Sequence, residues 1–78
     1  MKLNNNIRQL RFHKNEMSQQ ELADLIGVSR MTIYSIEKGK YVPSTVLALK
    51  ISQVFGKSVE EIFSLTDTNS TGVKNIEK

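Results

Sequence analysis

Residues 17–40 read Met17-Ser18-Gln19-Gln20-Glu21-Leu22-Ala23-Asp24-Leu25-Ile26-Gly27-Val28-Ser29-Arg30-Met31-Thr32-Ile33-Tyr34-Ser35-Ile36-Glu37-Lys38-Gly39-Lys40. Two helix starts lie inside this stretch. Ser18 stands three residues before Glu21, so the serine side chain can accept the Glu21 backbone N–H while the glutamate reaches back. Met17 and Leu22 occupy the two positions of a hydrophobic staple. The helix begun there is expected to reach about Leu25 and to stop at Gly27, which tolerates a left-handed exit. Ser29 repeats the cap, with Val28 and Ile33 as the staple. That second helix should continue to Glu37 or Lys38 and end at Gly39.

Two helices joined by about four residues, with a glycine in the connection, make a helix-turn-helix motif. Ala23 is small where the second helix must cross close over the first. Leu22, Ile26, Val28, Ile33 and Ile36 are the core-facing set. At about 100° per residue, with Ile33 and Ile36 inward, Met31 and Lys38 point away from the core. Tyr34 and Ser35 flank them, and Arg30 sits at the N-terminal shoulder. Such a helix buries an apolar side and offers an outer side of donors, a thioether and positive charge. It fits the DNA major groove, which admits one helix and displays distinguishable base edges.

Outward from the motif, Asn4 to Asn6 offer caps for a helix over roughly residues 5–14 carrying Ile7, Leu10, Arg11 and Lys14. Tyr41 to Pro43 form an extended turn, since residues before proline avoid the helical region. Ser44 caps a fourth helix with Val46, Leu47, Leu49, Ile51, Val54 and Phe55 as its apolar stripe before Gly56. Ser58 and Glu61 form a second capping box, opening a short fifth helix with Val59, Ile62 and Phe63. Leu3 and Phe63/Leu65 are candidates for a short two-stranded edge that ties the ends together. From Thr66 to Lys78 the chain is mostly Thr, Asn, Ser, Asp and Lys, the composition of a flexible tail. The expectation is therefore an all-α, five-helix domain over residues 1–65 and a tail over 66–78.

The composition excludes much else. The chain has 78 residues, about half the usual length of a domain, so it holds a single core. It has no cysteine and one histidine, His13, which removes disulfides, thiolate zinc sites and multi-histidine metal sites. No metal or cofactor is expected. No apolar run approaches the ~20 residues of a membrane span, and the N-terminus lacks the apolar core of a signal peptide. A cytoplasmic protein without membrane contact is the expectation. Residues 1–57 contain nine Lys/Arg and four Asp/Glu, whereas residues 58–78 contain two and four. The positive excess thus lies beside the motif, where it suits a polyanionic partner.

The stretch Met17–Lys40 closely resembles the Cro/repressor-type (XRE) helix-turn-helix family, and Pro43-Ser44 with Leu47-Ala48-Leu49-Lys50-Ile51 is similar to that family's fourth helix. The likeness covers about residues 3–65. It is nearest to the short stand-alone regulators that lack a ligand-binding domain, which implies a lambda-repressor-like fold and no small-molecule effector. The resemblance implies sequence-specific binding of double-stranded DNA, as a homodimer on a palindromic operator, with repression by occlusion as the simplest outcome. By the same resemblance, Ser29, Arg30, Met31 and Ser35 correspond to base-reading or base-adjacent positions, and Tyr34 borders them. Gln19, Thr32, Lys38 and Lys40 correspond to phosphate-contacting positions, with Tyr41 as an addition. Arg11 and Glu37 correspond to a structural pair joining the first helix to the end of the third.

Two departures stand out. The family commonly has glutamine where Met31 stands, and methionine cannot bond adenine in bidentate fashion, although it can pack on a thymine methyl. The link from Arg11 to Gln19 is also one residue longer than usual.

Plainer roles exist for several of these residues. Arg30 can be a solvated helix-start arginine, and Met31 an exposed methionine or a dimer contact. Lys38 and Lys40 also suit a helix C-terminus, whose dipole favours cations. Glu60 and Glu61 form a carboxylate pair, but the capping box accounts for the arrangement without catalysis. Ile62, Phe63 and Leu65 are core or the seam of a dimer, and with no larger core to cover them they are expected to contribute to both. With no nucleophile–base set, metal ligands or phosphate loop, an enzyme is not expected. The competing expectation is an interaction module, such as the antitoxin of a toxin–antitoxin pair, whose tail would fold on a protein partner.

Overall fold

A computed structural model describes residues 2–66. Strand β1 (Lys2–Asn5) leads into α1 (Ile7–His13), α2 (Gln19–Ile26), α3 (Arg30–Glu37), α4 (Thr45–Phe55), α5 (Val59–Ile62) and strand β2 (Phe63–Thr66). Five helices and one antiparallel strand pair make a mostly helical domain, as the sequence implied. In the pair, Leu3 stands opposite Leu65 and Asn5 opposite Phe63, so the two ends of the domain are laced together. Among the described residues, no helix is long and apolar enough to cross a membrane.

The serine caps form as the sequence specified. Ser18 and Ser58 each accept the backbone N–H three residues on, and Glu21 and Glu61 complete reciprocal capping boxes. Ser29 and Ser44 accept from Thr32 and Leu47. Each satisfies a helix N–H that would otherwise lack a partner, a contribution of about 1 kcal/mol apiece. α2 ends at Gly27 with φ +79°, a conformation that a Cβ would strain.

Three expectations change. α1 is shorter than residues 5–14, because Asn5 belongs to the strand and its side-chain oxygen accepts from the Ile7 backbone instead. Asn6 occupies the cap position without a side-chain cap, and its amide donates to the Glu61 carbonyl. The apolar stripe of α4 is narrower than the sequence suggested. Ile51 is buried with Leu47, Ala48, Val54 and Phe55 packed around the core, but Val46 and Leu49 are 61% and 51% exposed. Helical geometry explains this, since both lie on the side of the cylinder opposite Ile51. Strand β2 also takes in Thr66, while the rest of the expected tail lies outside the described residues.

Every helix and β2 contribute to one core: Ile7, Leu22, Ala23, Ile26, Ile33, Ile36, Ile51, Ile62 and Phe63. Burying each large member is worth roughly 1.5–3 kcal/mol, and among the described residues no polar or charged one is buried with them. Met17 and Val28 pack beside the core as the staple partners of Leu22 and Ile33. α2 and α3 make the most extensive helix–helix contact, and Ala23 at zero exposure lets them close. The core thus fixes α3 rigidly by its inner side and leaves the outer side to solvent.

Candidate nucleic-acid interface

The outer side of α3 carries the residues singled out in the sequence. Arg30 and Met31 are exposed at its first turn, Met31 at 57%, and Lys38 is exposed at its end. Thr32, Tyr34 and Ser35 are half-buried along the flanks. Ser29 is exposed but engaged: its hydroxyl accepts from the Thr32 N–H at 3.2 Å and lies 3.0 Å from the Thr32 hydroxyl. Lys40 and Tyr41 are exposed just beyond Gly39. The structure therefore gathers all ten expected contact residues around α3 and its two ends.

A hydrogen-bonded chain holds the first of these in place. Arg11 of α1 grips Glu37 at the end of α3 with Nε to Oε2 at 2.6 Å and Nη2 to Oε1 at 3.1 Å. Its remaining Nη1 donates to the Met17 carbonyl at 2.7 Å, just before α2. Glu37 Oε1 also accepts from Gln19 Nε2 at 3.1 Å, and Gln19 Oε1 accepts from Arg30 Nη1 at 3.3 Å. Arg11 and Glu37 are largely buried, so this bidentate, charge-assisted pair is well shielded from solvent. It orients the Gln19 amide, which in turn steers Arg30, while Gln19 keeps one N–H for another acceptor.

The longer link before α2 does not prevent this pairing. Asn15 and Glu16 both take left-handed backbone conformations, with φ +56° and +52°. The extra residue is absorbed in that tight turn.

Lys38 is positioned by an aromatic ring. Its Nζ lies 5.7 Å from the Tyr34 ring centroid, within the range of a cation–π contact. Around these groups lies a cleft of about 440 Å³ lined by residues of β1, α1, α2 and α3, including Arg8, Arg11, Gln19, Arg30, Tyr34, Glu37 and Lys38. Four cations and one carboxylate meet there, and the carboxylate is bound to Arg11. Arg8 was not among the residues the sequence singled out. The available signal was its place one turn before Arg11, on the same side of α1.

Other expected residues are placed elsewhere. Ile62 and Phe63 lie in the core at 2% and 8% exposure, whereas Leu65 is 66% exposed. His13 is exposed with its ring edge-on to Phe12. Among the described residues, no group of three His, Cys, Asp or Glu side chains is placed to hold a metal ion.

The helix-turn-helix profile matches residues 7–62, from the first residue of α1 to the last of α5. The chain belongs to the helix-turn-helix family. It is 48% identical over 52 residues to the HTH-type transcriptional regulator YgzD of Bacillus subtilis, covering 67% of this chain and 79% of that protein. The HTH-type transcriptional regulator MJ0272 of Methanocaldococcus jannaschii is 53% identical over 51 residues, or 65% of this chain and 77% of that protein. A transcriptional repressor of the cryptic phage CTXphi, RstR of Vibrio cholerae, is 33% identical over 63 residues, covering 81% of this chain and 56% of its own length. Members of this family of transcriptional regulators bind DNA and are not ordinarily enzymes.

Proposed function

We propose that this helix-turn-helix protein is a transcriptional repressor that binds a palindromic operator as a homodimer, in the cytoplasm, with α3 in the major groove. Residues 1–65 carry the function. The observation that carries this reading is the Arg11–Glu37–Gln19–Arg30 chain, which fixes a donor-bearing side chain on the exposed first turn of α3. Ser29, Arg30, Met31, Tyr34 and Ser35 read or border bases. Gln19, Thr32, Lys38, Lys40 and Tyr41 hold phosphates and set the register. Met31 presents an apolar tip suited to a thymine methyl. The kinship with RstR, a repressor by name, favours repression, which in so small a domain needs only that the bound protein cover a promoter.

The homodimer rests on unpartnered apolar surface. Val42, Val46, Leu49 and Leu65 are all exposed, and a second copy is the occupant that supplies a two-fold axis. Of the three residues expected at the seam, Leu65 is exposed and available to it, whereas Ile62 and Phe63 are buried in the core. Two recognition helices would then meet half-sites about 34 Å apart.

The test begins by selecting bound duplexes from a random pool, which yields both the operator and its symmetry. On the selected duplex, Arg30→Ala is expected to cost roughly 1–3 kcal/mol and to relax preference at one base pair. Lys40→Ala is expected to weaken binding evenly across sequences and to lower the salt slope by about one. Equal losses on selected and random DNA for both variants would remove the division of labour between base and phosphate contacts.

A further inference from the structure

We propose that Arg8 of α1, together with Lys38 just past the end of α3, clamps one phosphodiester of the DNA backbone, so that α1 joins the helix-turn-helix pair in holding the duplex. The inference rests on the DNA-binding reading and deepens it. Arg8 lines the same cleft as Arg30, Gln19 and Lys38. The other charged groups of that cleft already have partners. Arg11 is paired with Glu37, Arg30 donates to Gln19, and Lys38 lies over Tyr34. The Arg8 side chain is exposed and makes neither a hydrogen bond nor an ion pair among the described residues. An arginine head has five N–H donors in a planar fork, and its natural complement is a carboxylate or phosphate. The one carboxylate of the cleft, Glu37, is neutralised by Arg11, so three positive charges remain uncompensated around it.

The size and composition of the cleft identify the ligand further. At about 440 Å³ it is several times larger than a phosphate group and open enough for a length of sugar–phosphate backbone. Met31, the outermost apolar residue of α3, does not line it; Arg30 and Tyr34 do, and they mark the border where the cleft meets the base-reading edge. A phosphate seated there would be bracketed from α1 on one side and the end of α3 on the other. The contact would be blind to sequence and sensitive to salt.

The test uses the full chain and a labelled pool of random-sequence duplexes, titrated between about 50 and 200 mM salt. Arg8→Gln is expected to weaken binding about eightfold near 0.1 M salt and to lower the salt slope by about 0.9, the share of one phosphate contact. Arg8→Lys should restore the slope and part of the affinity, since it returns the charge without the fork. Thermal melting of both variants should match the parent, because Arg8 contributes no partnered contact to the fold. An unchanged slope in Arg8→Gln, with the parent binding the pool normally, overturns the clamp and leaves the DNA reading standing. A parent that binds no duplex at any salt overturns both. Inorganic phosphate alone separates the sources. If it shifts the Lys38 amide in an Arg8-dependent way while the duplex slope stays unchanged, the cleft serves a free anion and the backbone assignment is wrong.

Discussion

α3 and α4 begin alike and end facing different partners. Ser29 and Ser44 cap them with the same hydrogen bond, to Thr32 and Leu47, each at 3.2 Å. Both helices send isoleucines into the one core, Ile33 and Ile36 from α3 and Ile51 from α4. The difference lies on their outer sides. α3 shows solvent a guanidinium, hydroxyls and a single thioether, with a lysine at its end, whereas α4 shows two large aliphatic side chains, Val46 and Leu49, among the exposed Thr45, Lys50 and Gln53, with Val42 in the loop before it. Local helix signals and core burial are therefore common property of the two segments, and what distinguishes them is the chemistry left outside. A donor-rich outer side suits a nucleic acid; exposed branched aliphatic side chains with a polar surround suit a second protein surface.

The inner sides should respond alike. Ile33→Ala and Ile51→Ala each remove a side chain with zero exposure, and each is expected to cost toward the upper end of about 2–5 kcal/mol. For a domain of this size that is a large fraction of the total stability. Urea titration followed by circular dichroism measures it. A loss under 1 kcal/mol at one site but not the other would mean that the two helices do not share a core, and the comparison would fail at its base.

Next in size is the link that only α3 has. Glu37→Ala leaves Arg11 largely buried and without its carboxylate, and a cost of about 3 kcal/mol is expected. The double variant Arg11→Ala/Glu37→Ala should lose less than the sum of the single changes, because no orphaned charge remains. The same substitution removes the acceptor that orients Gln19, so binding to duplex DNA should weaken beyond what instability explains. Simple additivity in the double variant would mean that the two side chains do not depend on each other.

Much of this was legible in the sequence. Ser18-x-x-Glu21, Gly27 and the spacing of Ile33 and Ile36 specify two helices and their inward sides, because caps, left-handed exits and helical period act within a few residues. The pairing of Leu3 with Leu65 was also readable, as two short apolar segments at opposite ends of one domain. What escaped depends on neighbours distant in the chain. The orientation of α4 is one case, since its four apolar residues in a row, Val46 to Leu49, point all the way round the helix and only packing decides which are covered. The burial of Phe63 beside Ile62 is another, since it depends on where β2 turns after α5. Arg8 escaped as well, because its worth as a ligand depends on α3 lying across from it. The contact roles of Arg30, Met31, Lys38 and Lys40 came from family resemblance together with helical geometry, and the Gln19 bridge needed the fold.

The smallest effect on folding should come from the outer side of α4, and it sharpens the contrast most. Val46→Lys and Leu49→Lys change exposed side chains, so the stability of a single copy should move by no more than about 0.5 kcal/mol. Self-association should suffer instead, since each substitution places a charge in the middle of an apolar seam and lysines from two copies would face each other across a two-fold axis. Sedimentation equilibrium should show a dimer for the parent and a monomer for Val46→Lys/Leu49→Lys at the same concentration. The pair should also bind a selected palindrome more weakly while keeping its preference for each half-site. Met31→Ala is the matched change on α3: it should leave the dimer intact and alter base preference at one position. If the α4 pair stays dimeric, the exposed aliphatic surface is not the seam, and α4 differs from α3 only in what it happens to show to water.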